Sequence, residues 1–360
     1  MFLGFGEVMM RVAPEHKLRL RQVLPGRVEI TWGGGEANVC ASLAMFGNQT
    51  RYVSALPNNA LAESLQTSLR GLGVDTSRIL SRDGRLGVYY VECGANQRGS
   101  TVLYDRSYSS VSLAESSEYD FDSILEGVHW LHISGITPAI SKQAFESNLE
   151  LAKRAKAAGV EISCDLNFRK KLWKWHPDIQ GQELARQCMA EVLPYVDLVI
   201  GNEEDAADVL DIHAADTDVT TGHLNAAAYK DVAQQIVTKY ANVKRVAITL
   251  RESISADHNN WGAMLYQAGG DAVFSPLNLE GQYESFKIGH IVDRVGGGDS
   301  FAAGLLHALN DSSYCSNQAI LDFAVAASCL KHSIKGDFNY VTVAEVEALA
   351  GGNTSGRVQR

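Results

Sequence analysis

The stretch Ile291-Val292-Asp293-Arg294-Val295-Gly296-Gly297-Gly298-Asp299-Ser300-Phe301-Ala302-Ala303-Gly304 sets three consecutive glycines and an acid in front of an apolar helical run. Glycine has no Cβ, so the backbone here can turn tightly and come close to a ligand. The amides that open the following helix lack an intrahelical partner, and the helix dipole favours negative charge at that end. Such an opening is a cradle for an anion, and a phosphate in transfer is one such anion. Asp299 stands at its mouth, where a carboxylate can take the proton of an attacking hydroxyl. The same pattern also fits a glycine loop whose Asp299 only caps a helix Ser300–Leu309.

The rest of the chain narrows the setting. Its 360 residues, 46% of them hydrophobic, suffice for one large α/β domain or two smaller ones. A net charge of −10 argues against nucleic acid or an anionic membrane as partner. It also means that an anionic substrate would need a local basic pocket. The six cysteines show no C-x-x-C spacing, which reads as buried free thiols of a cytoplasmic protein rather than as disulfides or a metal site. The ten histidines contain no H-E-x-x-H, so zinc is not expected. No apolar run reaches the ~18 residues of a membrane span. Met1–Val8 reads as a strand and not as a signal peptide. Gly4 and Gly6 in it lack the third glycine and following helix of a dinucleotide motif.

Apolar strands are expected at Phe2–Val8, Arg51–Leu56, Val128–Ile133, Val160–Asn167, Asp197–Gly201 and Val243–Leu250. Helices are expected at Ala37–Phe46, Ala60–Leu72, Ser141–Ala158, Ala226–Tyr240 and Asn317–Lys331, besides the one after Asp299. This alternation implies an α/β protein with a mainly parallel sheet covered on both faces. Gly87–Glu92 and Ser100–Arg106 read as a β-hairpin. Side chains alternate along a strand, so Tyr104 and Arg106 share a face, a pairing that suits a sugar acid. Edge-strand residues that merely meet solvent are the other reading of the same pair. Arg169, beside Lys170 and Lys171 at the end of a strand, is a second candidate clamp. His213–Leu224 looks like a polar surface insertion.

Asp293-x-x-Gly296-x-Gly298-Asp299 resembles the D-T-x-G-A-G-D signature of the ribokinase-like (PfkB) sugar kinases, from which Arg294 and Gly297 depart at positions where that family varies. Gly33-Gly34-Gly35-Glu36-Ala37-Asn38 resembles its G-G-x-x-x-N, Gly73-Val74-Asp75 its G-V-D, and Asn202-Glu203-Glu204-Asp205 its N-x-x-E with a shorter acid in fourth place. Asp165-Leu166-Asn167-Phe168-Arg169, His132–Pro138 and Lys335-Gly336-Asp337-Phe338-Asn339 are similar to one branch, the 2-keto-3-deoxygluconate kinases. The clearest departure is Arg251–Asn260, which has no glycine where the family carries a glycine-rich nucleotide loop.

The resemblance implies a ribokinase-like three-layer α/β/α sandwich with a mainly parallel central sheet and a small β-sheet lid. A single domain would span 1–345, with the lid built from segments about 10–33 and 86–110. Residues 346–360 would be a disordered tail. It implies Asp299 as catalytic base and the amides of Gly296, Gly297 and Gly298 as the anion hole. Gly33, Gly34, Asn38, Tyr89, Tyr104, Arg106, Arg169 and Asp337 would bind substrate. Asn167, Asn202, Thr249 and Arg251 would bind the nucleotide, and Asp205 would reach magnesium through water.

The expected activity is ATP- and Mg2+-dependent phosphorylation of a sugar acid, 2-keto-3-deoxygluconate, at its terminal hydroxyl. Whether a monovalent cation also takes part is left open. The expected partners are the sugar acid, ATP and a second copy of the chain met through the lid, with no nucleic acid and no membrane. A kinase of a neutral sugar or nucleoside, and a non-catalytic sugar- or nucleotide-binding homologue, are the alternatives. Walker A, H-R-D and D-F-G are absent, so P-loop and protein-kinase readings drop out.

Overall fold

The computed structural model describes residues 1–213 and 226–353. Its centre is one large sheet. The strands Val74–Asp75, Thr50–Val53, Phe2–Phe5, Trp130–Ser134, Glu161–Asp165, Leu198–Gly201 and Arg245–Ser253 lie side by side in that order, all parallel. Asn259–Gln267 and Ala272–Ser275 continue it antiparallel at one edge. The central strands are buried on both faces, as helical crossovers require, and so read as continuous apolar runs rather than alternating ones.

Helices cover both faces. Gly297–Asn310 lies between Gly35–Met45 and Asn317–Lys331, and its Phe301, Leu305 and Leu306 are fully buried. A helix apolar on nearly every side has to be an interior one. Gly304 lets its neighbour approach, because a Cβ there would come within 2.9 Å of Ala324 Cα. A second sheet of four strands, in the order Glu29–Gly33, Met9–Ala13, Val88–Glu92 and Thr101–Asp105, forms the lid. Its ladders place Thr31, Arg11, Tyr89 and Tyr104 in one cross-strand row, and Ile30, Val12, Tyr90 and Leu103 in the adjacent row on the other face.

Four expectations change. Phe2–Val8 is not one strand: the chain leaves the main sheet after Phe5 and enters the lid at Met9. The strand expected at Val128–Ile133 runs instead over Trp130–Ser134, and Gly135 caps a short helix Ile136–Ile140 right after it. The glycine-free segment after Leu250 is no open loop, since Arg245–Ser253 and Asn259–Gln267 pair along their full length and leave only a tight turn. The tail expected from residue 346 does not begin there, because Val343–Ala350 is helical and Val346 is fully buried. The cysteines also differ in part from expectation: all six are free, but Cys315 is exposed and Cys93 and Cys329 are only half-buried. The expected insertion at His213–Leu224 lies, beyond His213, outside the described residues.

Candidate active site

The loops at the carboxyl ends of the parallel strands meet the lid around a cavity of about 500 Å³. Open α/β sheets place ligands at that edge because loops diverge there. Every residue named above for catalysis, substrate, nucleotide or metal lines this cavity.

At its floor, Gly296 is the N-cap of the helix Gly297–Asn310 and adopts a left-handed backbone with φ 84°. The first regular helical bond runs from Ser300 N–H to the Gly296 carbonyl at 2.9 Å, while Gly297 N–H reaches only Arg294 O at 3.4 Å. The amides of Gly298 and Asp299 belong to the first turn and have no helical partner. The amides free to meet an anion are therefore shifted toward Asp299 from the three glycines expected. Asp299 is not the cap of a helix Ser300–Leu309 but lies in the first turn of a helix that starts at Gly297. Its carboxylate accepts a hydrogen bond from Asn38 Nδ2 at 2.6 Å, and Asn38 Oδ1 accepts from Gly34 N–H at 3.2 Å. Asn38, expected on the sugar, thus orients the candidate base. Burial pushes the Asp299 carboxyl up to about 6; the Asn38 bond opposes this, Asp337 adds to it, and Arg169 and Lys331 counter it. A base poised near neutrality is effective in proton transfer.

Behind the cradle lies a buried ionic network. Arg11 donates to Asp337 at 2.8 Å and to Asp293 at 2.6 Å, with side-chain exposures of only 3–4%. Burial alone would lower the Arg11 guanidinium, but the carboxylates of Asp293 and Asp337 outweigh it and hold it charged. Asp293 also accepts from the amides of Val295 and Gly336, tying the approach to the cradle to the turn that carries Asp337. Tyr89 O–H donates to Asp337 at 2.5 Å. Two residues expected to face the sugar, Tyr89 and Asp337, are therefore joined to each other at the cavity wall. The buried ammonium of Lys331 donates to the carbonyls of Ile334 and Gly336 at 3.0 and 2.8 Å.

On the lid side, Arg106 lies with its guanidinium 5.5 Å from the centre of the Tyr104 ring. It is not free: Glu7, 3% exposed, forms a buried ion pair with it. Arg169 makes no ion pair among the described residues and lines the same cavity. On the far side, Asn202 caps the helix Glu203–Leu210 in a reciprocal box with Asp205, whose other oxygen accepts from Phe168 N–H at 2.9 Å. Asp205 is thus first a structural tie between two strand ends. Its carboxylate has further lone pairs for a water. Glu204 is exposed beside it on the cavity wall, and hard oxygen donors with room for water suit magnesium. Thr249 donates to Gly201 O at 3.4 Å, and Asn167, at φ 36°, donates to Asp165 at 3.3 Å.

Glu7, Arg11, Asp165, Trp261, Arg294 and Lys331 went unassigned in the sequence. The one available signal was charge out of place: Arg11 in an apolar strand and Lys331 at the end of an apolar helix.

An anion cradle, an oriented carboxylate and a covering lid at the carboxyl edge of a parallel sheet define a small-molecule phosphotransferase. Residues 3–252 match the pfkB family carbohydrate kinases, and the chain belongs to that family. It is 30% identical over 352 residues to the 2-dehydro-3-deoxygalactonokinase of Haloferax volcanii, covering 98% of this chain and 97% of that one. It is 26% identical to the 2-dehydro-3-deoxygluconokinase of Bacillus subtilis, over 77% of this chain and 74% of the other. Among solved structures, the 2-dehydro-3-deoxygluconokinase of Thermotoga maritima superposes with a TM-score of 0.87 at 41% identity, covering 98% of this chain and 99% of that one.

With Asp299 as base, kcat/KM should rise about tenfold per pH unit up to about 6 and then level, since only the ionised carboxylate accepts a proton. Asp299→Asn should lose about 10²–10⁴-fold at pH 7.5. An acid limb that persists in that variant would assign the titration elsewhere.

Proposed function

We propose that the protein transfers the γ-phosphoryl group of ATP to the terminal hydroxyl of a six-carbon 2-keto-3-deoxy sugar acid. The observation that carries this reading is the joint placement on one cavity of Asp299, its cradle and Arg169, which has no ion pair among the described residues. The substrates named for the Haloferax volcanii, Bacillus subtilis and Thermotoga maritima relatives belong to the same chemical class.

The sugar acid lies under the lid with its carboxylate toward Arg169 and the outer edge of Arg106. Asp299, held by Asn38, takes the hydroxyl proton as the sugar oxygen forms its bond to the γ-phosphorus. The bond to the bridging oxygen breaks, and ADP leaves with that electron pair. Amides of the cradle meet the charge on the transferring group. Magnesium, when bound with ATP, neutralises phosphate charge, and the Glu204–Asp205 corner is where this chain would hold it through water. Positioning and electrostatics supply most of the rate in such transfers.

One observation favours a neutral sugar instead: Glu7 already neutralises Arg106. The two readings part at Arg169. A hydrogen bond to a charged group is worth about 1.5–3 kcal/mol, so Arg169→Ala should lower kcat/KM for 2-keto-3-deoxygluconate by roughly 10–100-fold while fructose and ribose stay at their background. Equal losses on all substrates, or faster turnover of a neutral sugar by the wild type, would overturn the sugar-acid assignment. Potassium-free and potassium-containing assays decide whether a monovalent cation takes part.

We also read the outer face of the lid as the contact with a second copy, because Ile30 and Leu103 on it are 56% and 63% exposed. The double variant Ile30→Asp, Leu103→Asp should sediment as a monomer where the wild type sediments as a dimer. A monomeric wild type contradicts this.

A further inference from the structure

The turn Ile254–His258 joins two regions of the molecule that the phosphoryl-transfer reading leaves unconnected. Toward the lid, Asn96 N–H donates to Asp257 Oδ2 at 2.6 Å, and Ala256 N–H donates to Asn96 O at 2.7 Å. Lys17 forms an ion pair with the other Asp257 oxygen, and Arg98 donates to the Lys17 carbonyl at 2.8 Å. Both lid segments are therefore gathered on one carboxylate. The approach is close: a Cβ on Gly94 would come within 2.7 Å of Ala256 Cβ, and Asn96 takes a left-handed backbone at φ 48°.

Toward the cradle, Arg294 donates to the carbonyls of Ala256 and Ser255 at 2.5 and 3.3 Å. Ile291 N–H donates to Asp257 O at 3.1 Å. Arg294 stands two residues before Gly296, the N-cap of the cradle helix. Arg294 and the glycine-free segment after Leu250, both departures from the family pattern, thus bind each other.

We propose that Asp257 is a positioning residue for phosphoryl transfer, latching the tip of the lid at Asn96 and Lys17 to the segment that carries Arg294 and the glycine cradle. Its effect is to bring the cover over the sugar and the seat of the phosphate into one arrangement. A closed cover excludes water, which would otherwise compete with the sugar hydroxyl for the phosphoryl group. Asp257 lines no part of the cavity and acts only through these two partners. Its bonds to the Asn96 amide and to Lys17 hold its carboxyl below the usual range, so the latch is ionised at neutral pH.

The inference rests on the kinase reading, and the test separates the two. Wild type, Asp257→Ala and Asp257→Asn are assayed with magnesium ATP, with and without 2-keto-3-deoxygluconate, and deuterium uptake is followed in the segment 94–99. Asp257→Ala should raise the sugar KM about tenfold, as expected for losing a charged hydrogen bond, with kcat changed less. It should also raise sugar-independent ATP hydrolysis relative to transfer and speed exchange in 94–99. Asp257→Asn keeps an oxygen for the Asn96 amide and should fall between wild type and alanine. Unchanged exchange and unchanged kinetics would remove the latch. Faster exchange with unchanged kinetics, or a fall in kcat alone together with a lowered Tm, would overturn the positioning role. A wild type without transfer activity would instead overturn the kinase reading.

Discussion

The guanidinium of Arg11, buried between Asp293 and Asp337, is the constraint around which the site is built. Two carboxylates withdrawn from water are tolerated only if a cation with matching geometry lies between them, and the planar fork of arginine can serve both. Removing one partner of such a buried pair typically costs about 3–5 kcal/mol, because the other charge is left uncompensated. The three residues come from a lid strand, the approach to the cradle and the turn after the helix Asn317–Lys331. Satisfying one charge therefore fixes the relative position of three loops, 326 residues of sequence separating Arg11 from Asp337.

This network also explains glycines that look, in sequence, like ligand contacts. A Cβ at Gly33 would come within 2.1 Å of the Asp337 carboxylate, and one at Gly296 within 2.3 Å of its carbonyl. Those two glycines make room for the scaffold. A Cβ at Gly298 would meet nothing within 4 Å, so Gly298 is the glycine whose bareness is presented to the cavity. The cradle thus combines tight packing beneath with open backbone above.

Most of the fold was legible because its signals are local. Helix periodicity, glycine stops and apolar strand runs depend on neighbours a few residues away. The helix start within the glycine run was legible for the same reason. What was not legible is partner choice. Nothing near Arg106 in the chain announces that Glu7 will neutralise it, and nothing near Asp337 says that it will face Arg11 and Tyr89 rather than open cavity. Likewise, Arg251–Asn260 gave no glycine signal, yet its flanks pair as strands and its turn meets Arg294 and the lid. These are long-range electrostatic and hydrogen-bond choices, and local pattern carries no information about them.

The charge balance of the site follows. A chain with net charge −10 offers its anionic ligands a cavity lined by Arg169, Arg251 and Arg294, with Arg106 held half in reserve by Glu7. Burial raises the Asp299 carboxyl to about 6 even though Arg169 and Lys331 pull it down, which is the range the proposed general base needs. The measurement that bears most directly on this account is phosphorus NMR of the wild-type protein incubated with magnesium ATP and 2-keto-3-deoxygluconate. One new phosphomonoester, on the terminal carbon, should form in equal amount with ADP. No sugar phosphate, or an ester formed as readily on fructose or ribose, would contradict it.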